Sequence, residues 1–155
     1  MTTETMQWLN RNTLIGMTEQ RGNAWHYRAS EQGDEPNHYT GPIPIGDVRR
    51  RLFAWQAIGT DVYVQAADGT YRAIPNRQAI IRNDSFDVLG IHSGSYVPHQ
   101  YGDSLLTFVQ DVLDDSDLVI GSAGLLKNGA IGWVQIEMPE NRIANDVEFR
   151  PHLLA

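Results

Sequence analysis

Apolar residues recur at helical spacing in two stretches of this chain and alternate with polar residues in much of the rest. In "IPIGDVRRRLFAW", Ile45, Val48, Leu52 and Trp55 fall three or four positions apart, which turns one stripe inward and leaves Arg49 and Arg50 outside. The spacing predicts a short helix near 46–55. In "DSLLTFVQDVLDD", Leu105, Phe108, Val109, Val112 and Leu113 form a longer stripe, with Asp103 placed as a candidate N-cap. This is the principal helix, over about residues 103–115. Its last turn and the residues after it carry Asp114, Asp115 and Asp117, where the helix dipole is already negative, so that end is expected to fray or to attract a cation.

The alternating segments read as hairpins. "DVYVQAADGTYRAI" alternates on both sides of Asp68-Gly69, and "RQAIIR" is matched with "FDVLGI" across Asn83-Asp84-Ser85. "VIGSAGLLKNGAIGWVQIEM" places two apolar runs around Asn128-Gly129, the dipeptide suited to the two positive-φ positions of a type I′ turn. Hairpins, helix and hairpin in that order predict an α+β fold, with a mainly antiparallel sheet and the principal helix on one face. No repeat or break in composition divides residues 1–155, so one domain is expected. "SEQGDEPNHYTGP", Ser30 to Pro42, has no periodicity and reads as a long surface loop.

Composition sharpens this picture in three places. A chain of 155 residues can bury roughly 70% of its unfolded surface in one core without crosslinks. The absence of cysteine excludes disulfides, thiol catalysis and thiolate zinc sites. No run approaches the ~20 apolar residues that span a bilayer, and no basic start leads into an apolar segment. A soluble, cytoplasmic protein with no membrane partner is therefore expected. The formal charge of −7 is uneven: residues 21–82 are net basic and arginine-rich, whereas residues 83–155 are strongly acidic. Any contact with nucleic acid is expected from the first half.

The densest chemistry is "GIHSGSYVPHQY", Gly90 to Tyr101. It is not a nucleophile elbow, because Ser93 is followed directly by glycine and preceded by His92. A polar connector fits it without catalysis, and a hydrolase centred on His92, Ser93 and His99 would require an acid brought close by the fold. No catalytic residue is assigned. The five histidines show no metal-binding spacing, "DDSD" lacks the glycine and distal glutamate of a calcium loop, and no glycine-rich phosphate loop occurs. Neither metal nor cofactor is expected. The remaining constellation is basic and aromatic: Arg49, Arg50, Arg51, Arg72, Arg77 and Arg82 for phosphates, with Trp25, Tyr27, Tyr63 and Tyr71 for stacking on bases. Solvated arginines beside core aromatics are the plain alternative.

The ordered set "AWHYR", "GPIPIGDVRRRL" leading to Trp55, "RQAIIRNDSFDVLGIHSGSYVPHQ" and "GSAGLLKNGAIGWVQIEMP" resembles the phage/plasmid-like proteins of domain of unknown function nine-three-two. The resemblance covers most of the chain from about Trp25. It implies a bacteriophage or mobile-element setting, with no family catalytic residues to carry over. It also implies a helical C-terminal region absent from this sequence, which ends at "EFRPHLLA", so a natural short version or a truncation is expected. Tyr27 stands where the family usually has a small residue. The hairpin–helix–hairpin order is also similar to the core of Rad52-like single-strand annealing proteins, an analogy of fold.

Two functions are expected from these readings. The first is a non-enzymatic protein of DNA metabolism and recombination that binds or anneals single-stranded DNA, as a dimer or ring that multiplies weak contacts along one strand. The second is a host-directed protein-interaction module that uses Asp114, Asp115, Asp117 and the Ser30–Pro42 loop against a basic host surface.

Overall fold

The computed structural model describes residues 4–155. In chain order it contains α1 (Met6–Asn12), β1 (Thr13–Ile15), α2 (Thr18–Arg21), α3 (Ile45–Leu52), β2 (Ala57–Gln65), β3 (Tyr71–Arg82) and β4 (Val88–Ser93). There follow α4 (Leu106–Asp114), β5 (Val119–Leu126), β6 (Ile131–Glu137), β7 (Arg142–Ala144), β8 (Val147–Phe149) and β9 (His152–Leu154). The strands form a four-stranded sheet in the order β1-β5-β6-β9, a three-stranded sheet β2-β3-β4, and the small hairpin β7-β8, with every strand pair antiparallel. The α+β fold expected from the hairpin-and-helix pattern is the one observed.

The core lies against the four-stranded sheet. Leu14, Ile120, Ala123, Leu125, Val134 and Ile136 from its strands meet Val48 and Leu52 of α3 and Leu106 and Val109 of α4. The apolar runs of β5 and β6 supply this surface, and the two amphipathic helices close over it. Each fully buried Leu or Ile side chain there contributes on the order of 2 kcal/mol. No helix among the described residues is long and apolar enough to cross a membrane.

The structure corrects several local expectations. The principal helix begins with a π-helical turn, Tyr101–Leu105, before α4 proper, and is preceded by Gln100. Asp103 therefore lies inside the first turn and caps nothing. Of the expected stripe, Leu105, Val109, Val112 and Leu113 pack on the core and are joined by Leu106, whereas Phe108 is 49% exposed. The β5–β6 hairpin forms, but Leu126 pairs with Ile131, leaving a four-residue connection with positive φ at Lys127, Asn128 and Gly129. That is longer than a type I′ turn. The two segments "TYRAI" and "RQAIIR" join in one strand, β3, which bends at Asn76, where φ is 56°.

The Ser30–Pro42 segment is tethered rather than a free excursion. Asn37 and Gln32 are buried, and His38 bridges to Ile15 of β1. The anchor is a polar network with α1. Asn10 accepts from the Arg28 backbone N–H and from Gln32 Nε2, while Asn37 Nδ2 donates to the carbonyls of Asn10 and Thr13. In such a site every satisfied amide fixes the chain, because an unpaired one would be costly.

Candidate nucleic-acid interface

The three-stranded sheet leaves the core at its root and continues outward as an arm. Its alternation puts Ala57 opposite Arg82, Gly59 opposite Ile80 and Asp61 opposite Gln78, and extends the same rows to Gly90 and His92 of β4. Paired residues of a pleated sheet share a face. This face therefore carries Arg82, Ile80, Gln78 and His92 from root to arm.

At the root, the Arg82 guanidinium lies over the Trp55 ring, 4.4 Å from its centroid. Trp55 is held by its indole N–H, which donates to the Leu52 carbonyl at the end of α3. Gly129 backs the pair: its φ is +104°, and an added Cβ would sit 3.0 Å from Trp55 and 3.2 Å from Arg82. Arg50, Arg51, Trp55 and Arg82 line one depression of about 420 Å³. Its arginines are matched by acids. Arg82 makes a two-toothed pair with Asp84 at 2.7 and 2.9 Å, and Arg50 another with Glu35 at 2.6 and 2.8 Å. Hydrogen bonds from these arginines hold the Glu35 and Asp84 carboxyls below the usual carboxylate range. The guanidiniums are thereby oriented, but the local net charge is small.

The other residues of the expected constellation lie elsewhere. Arg49 donates to the Gly102 carbonyl, joining α3 to the π turn. Arg72 and Arg77 stand on the arm, roughly 33 and 16 Å from Arg82 at strand rise, and both are exposed. Tyr63 and Tyr71 share the opposite face of the arm tip from Arg72, since Tyr63 pairs with Ala73 and Tyr71 with Gln65, while Arg72 pairs with Val64. Trp25, 78% exposed, and Tyr27 belong to the N-terminal segment, where Tyr27 packs edge-on against His38. The structure thus groups Arg50, Arg51 and Arg82 with Trp55, and disperses the rest.

The stretch from Gly90 to Tyr101 covers the root of the same face. Two glutamines pin it. Gln78 Nε2 donates to the carbonyls of Ser93, Gly94 and Tyr96, and Gln100 exchanges two hydrogen bonds with the Ala57 backbone at 2.8 and 2.9 Å. Gly59 makes room for the first pin, because a Cβ there would collide with the Gln78 amide. His92 stacks on Tyr96 with ring centroids 4.1 Å apart, and Tyr101 fixes its hydroxyl on the Ala130 carbonyl. Ser93 Oγ meets Ser95 Oγ and no histidine. The stretch is a wall, and it encloses a cleft of about 400 Å³ against Trp55 and Ile80. Sequence reasoning missed this because the cleft depends on which sheet face the loop crosses.

Among the described residues no group of three His, Cys, Asp or Glu side chains is placed to hold a metal ion. At the end of α4, Asp114 accepts from Gln110 Nε2, and Asp114, Asp115 and Asp117 form no ion pair within 4.0 Å. The fold and the site together define an α+β protein of antiparallel sheets with an arginine-and-aromatic surface. No family model, curated protein or solved structure matches the chain.

Proposed function

We propose that this chain is a non-enzymatic protein of a bacteriophage or mobile element, of the phage/plasmid-like family it resembles, and that it binds or anneals single-stranded DNA in the host cytoplasm. The observation that carries the reading is Arg82 stacked on Trp55 beside Arg50 and Arg51. A flat indole next to oriented guanidiniums suits a strand, whose bases offer π faces and whose backbone offers phosphates. Arg72 and Arg77 add exposed positive charge along the arm, Arg77 on the sheet face opposite to that of Gln78 and Arg82. Because the root arginines are matched by Glu35, Asp47 and Asp84, the arm arginines carry most of the salt dependence.

Binding of labelled single-stranded DNA across a salt titration, with light scattering on the same sample, tests the reading. Affinity that falls with salt in an oligomer is the expected result. Absence of binding at low salt overturns it.

The unpaired carboxylates at the end of α4 favour a second reading, a host-directed interaction module. There the acidic end at Asp114, Asp115 and Asp117 would meet a basic protein surface. Reversing the charge of Asp114 and Asp115 would then abolish the partner contact and leave DNA affinity unreduced.

A further inference from the structure

The cleft beneath the Gly90–Tyr101 wall differs chemically from the depression on the other side of Trp55. Its lining, which includes Ile80, His92, Tyr96, Pro98 and Tyr101, has aromatic and aliphatic surface and two imidazoles but no carboxylate, ammonium or guanidinium. At about 400 Å³ it lies within the size range of small-ligand sites. Trp55 lines both spaces, and the second holds Arg50, Arg51 and Arg82. An uncharged compartment and a cationic one therefore sit side by side, divided by one indole.

A molecule that matches both has a flat uncharged end and an anionic end. Tyr96 is built to receive the flat end. One face of its ring is covered by His92 at an interplanar angle of 14°, yet the residue remains 39% exposed. A base stacked on the free face would continue the column that His92 and Tyr96 begin. Tyr96 is also positioned in advance, since Gln78 holds its carbonyl at 2.6 Å. Little ordering is left for the moment of binding, which favours affinity.

We propose that this cleft holds one unstacked nucleobase, and that the phosphate attached to it lies across Trp55 among Arg51 and Arg82. The inference rests on the single-strand reading and names the unit recognised there, a nucleotide. It makes Tyr96 and His92 binding residues.

The test is an NMR titration of the whole chain with thymidine 5′-monophosphate and, separately, with N-acetyltryptophanamide, alongside binding of a short single-stranded oligonucleotide. The expected result is saturable shifts from the nucleotide at the backbone amides of His92 and Tyr96 and at the Trp55 indole N–H. Tyr96→Ala should weaken both nucleotide and oligonucleotide about tenfold, the scale of one base–aromatic stack, and Tyr96→Phe should restore them. Shifts confined to Arg50, Arg51 and Arg82 would overturn the inference, leaving only a phosphate contact. Saturation by N-acetyltryptophanamide without the nucleotide would overturn it in favour of a peptide anchor. An oligonucleotide bound equally by Tyr96→Ala would overturn it while the strand-binding function stands. A nucleotide that fills the cleft when no oligonucleotide binds would uphold the cleft and remove the strand reading.

Discussion

The two larger sheets of this protein are made in opposite ways. In the four-stranded sheet, six consecutive residues of β5, Ile120 to Leu125, are buried, and Val134 and Ile136 of β6 are inaccessible. In the three-stranded sheet, β3 exposes its first seven residues, and Val88 and Ile91 of β4 are 61% and 60% exposed. One sheet is built around an inner strand, β5, that is covered on both faces. The other has a root fixed to that core and an arm surrounded by solvent. An arm that buries so little cannot hold the fold together, so its long strands are available for contact with something else. The aromatic cleft and the arginine depression both sit at its root, where rigidity and exposure meet.

The largest expected effect tests the difference directly. Leu125→Ala in the buried sheet should cost about 2–5 kcal/mol, the range for leucines truncated in a packed core. Ile91→Ala on the arm sheet should change stability by less than about 1 kcal/mol, since the side chain it removes is largely solvated. Urea unfolding of both variants measures this. Equal losses would mean that the arm face is covered in solution.

Acidification provides a second contrast, between the N-terminal network and the arm. His38 Nε2 accepts from the Ala24 N–H, and its Nδ1 donates to Asn37 Oδ1, whose own amide nitrogen is already donating. The ring is therefore neutral and fixed in one tautomer. Burial depresses the pKa of both His38 and His26, with His26 lowering His38 further, while Glu31 and Arg28 are the charged groups of the surrounding segment. The unfolded chain takes up these protons near pH 6.5 and the folded chain only at lower pH. Stability is therefore fully present above pH 6.5 and declines as pH falls through the depressed folded values. Hydrogen exchange at pH 7.5 and 5.5 should show faster opening around Asn10 and Asn37. His38→Gln should flatten that difference.

These contrasts show what could be read in the sequence. The α3 stripe and the hairpins around Asp68-Gly69 and Asn128-Gly129 were legible because each depends on local spacing or on turn residues. The stripe at Val109, Val112 and Leu113 of α4 was legible too, but the burial of Leu106 in place of Phe108 was not, because the π turn at Tyr101–Leu105 has no periodic signature. The three-residue strands β1, β7, β8 and β9 are too short for alternation to register, and the Asn10–Asn37 network joins residues 27 apart through side chains. The site was legible in part. Arg50, Arg51 and Arg82, which share the root depression, could be named from the sequence, but Trp25 and Tyr27 could not be separated from the root, nor Tyr96 and Tyr101 assigned to it. Sequence order does not say which face a loop will cross.

A smaller effect distinguishes the pinned wall from the free arm. Gln78→Ala removes a side chain whose amide holds three carbonyls of the wall, all at partly exposed positions. A stability loss of about 1 kcal/mol is expected. Exchange should accelerate at the Gly94 and Tyr96 amides, while the tip around Asp68-Gly69 keeps its rate. No change at the wall would mean that Gln100 alone fixes it.

The smallest expected effect on stability separates the two sets of arginines. Arg72 and Arg77 are exposed and form no ion pair within 4.0 Å, so replacing either with alanine should shift the unfolding midpoint by no more than about 0.5 kcal/mol. Their contribution should emerge with DNA present. Each phosphate neutralised on a single strand adds roughly 0.7 to the slope of log affinity against log salt, so removing both arm arginines should lower the slope by about 1.4. Arg82→Ala should behave differently. Arg82 is already matched by Asp84 and stacked on Trp55, so its loss frees a carboxylate beside the strand and uncovers the indole. Affinity should fall at every salt concentration with a smaller change in slope. If the slopes of the two variants were the same, the root would be an open phosphate site like the arm, and the division of labour between a stacking root and an electrostatic arm would not hold.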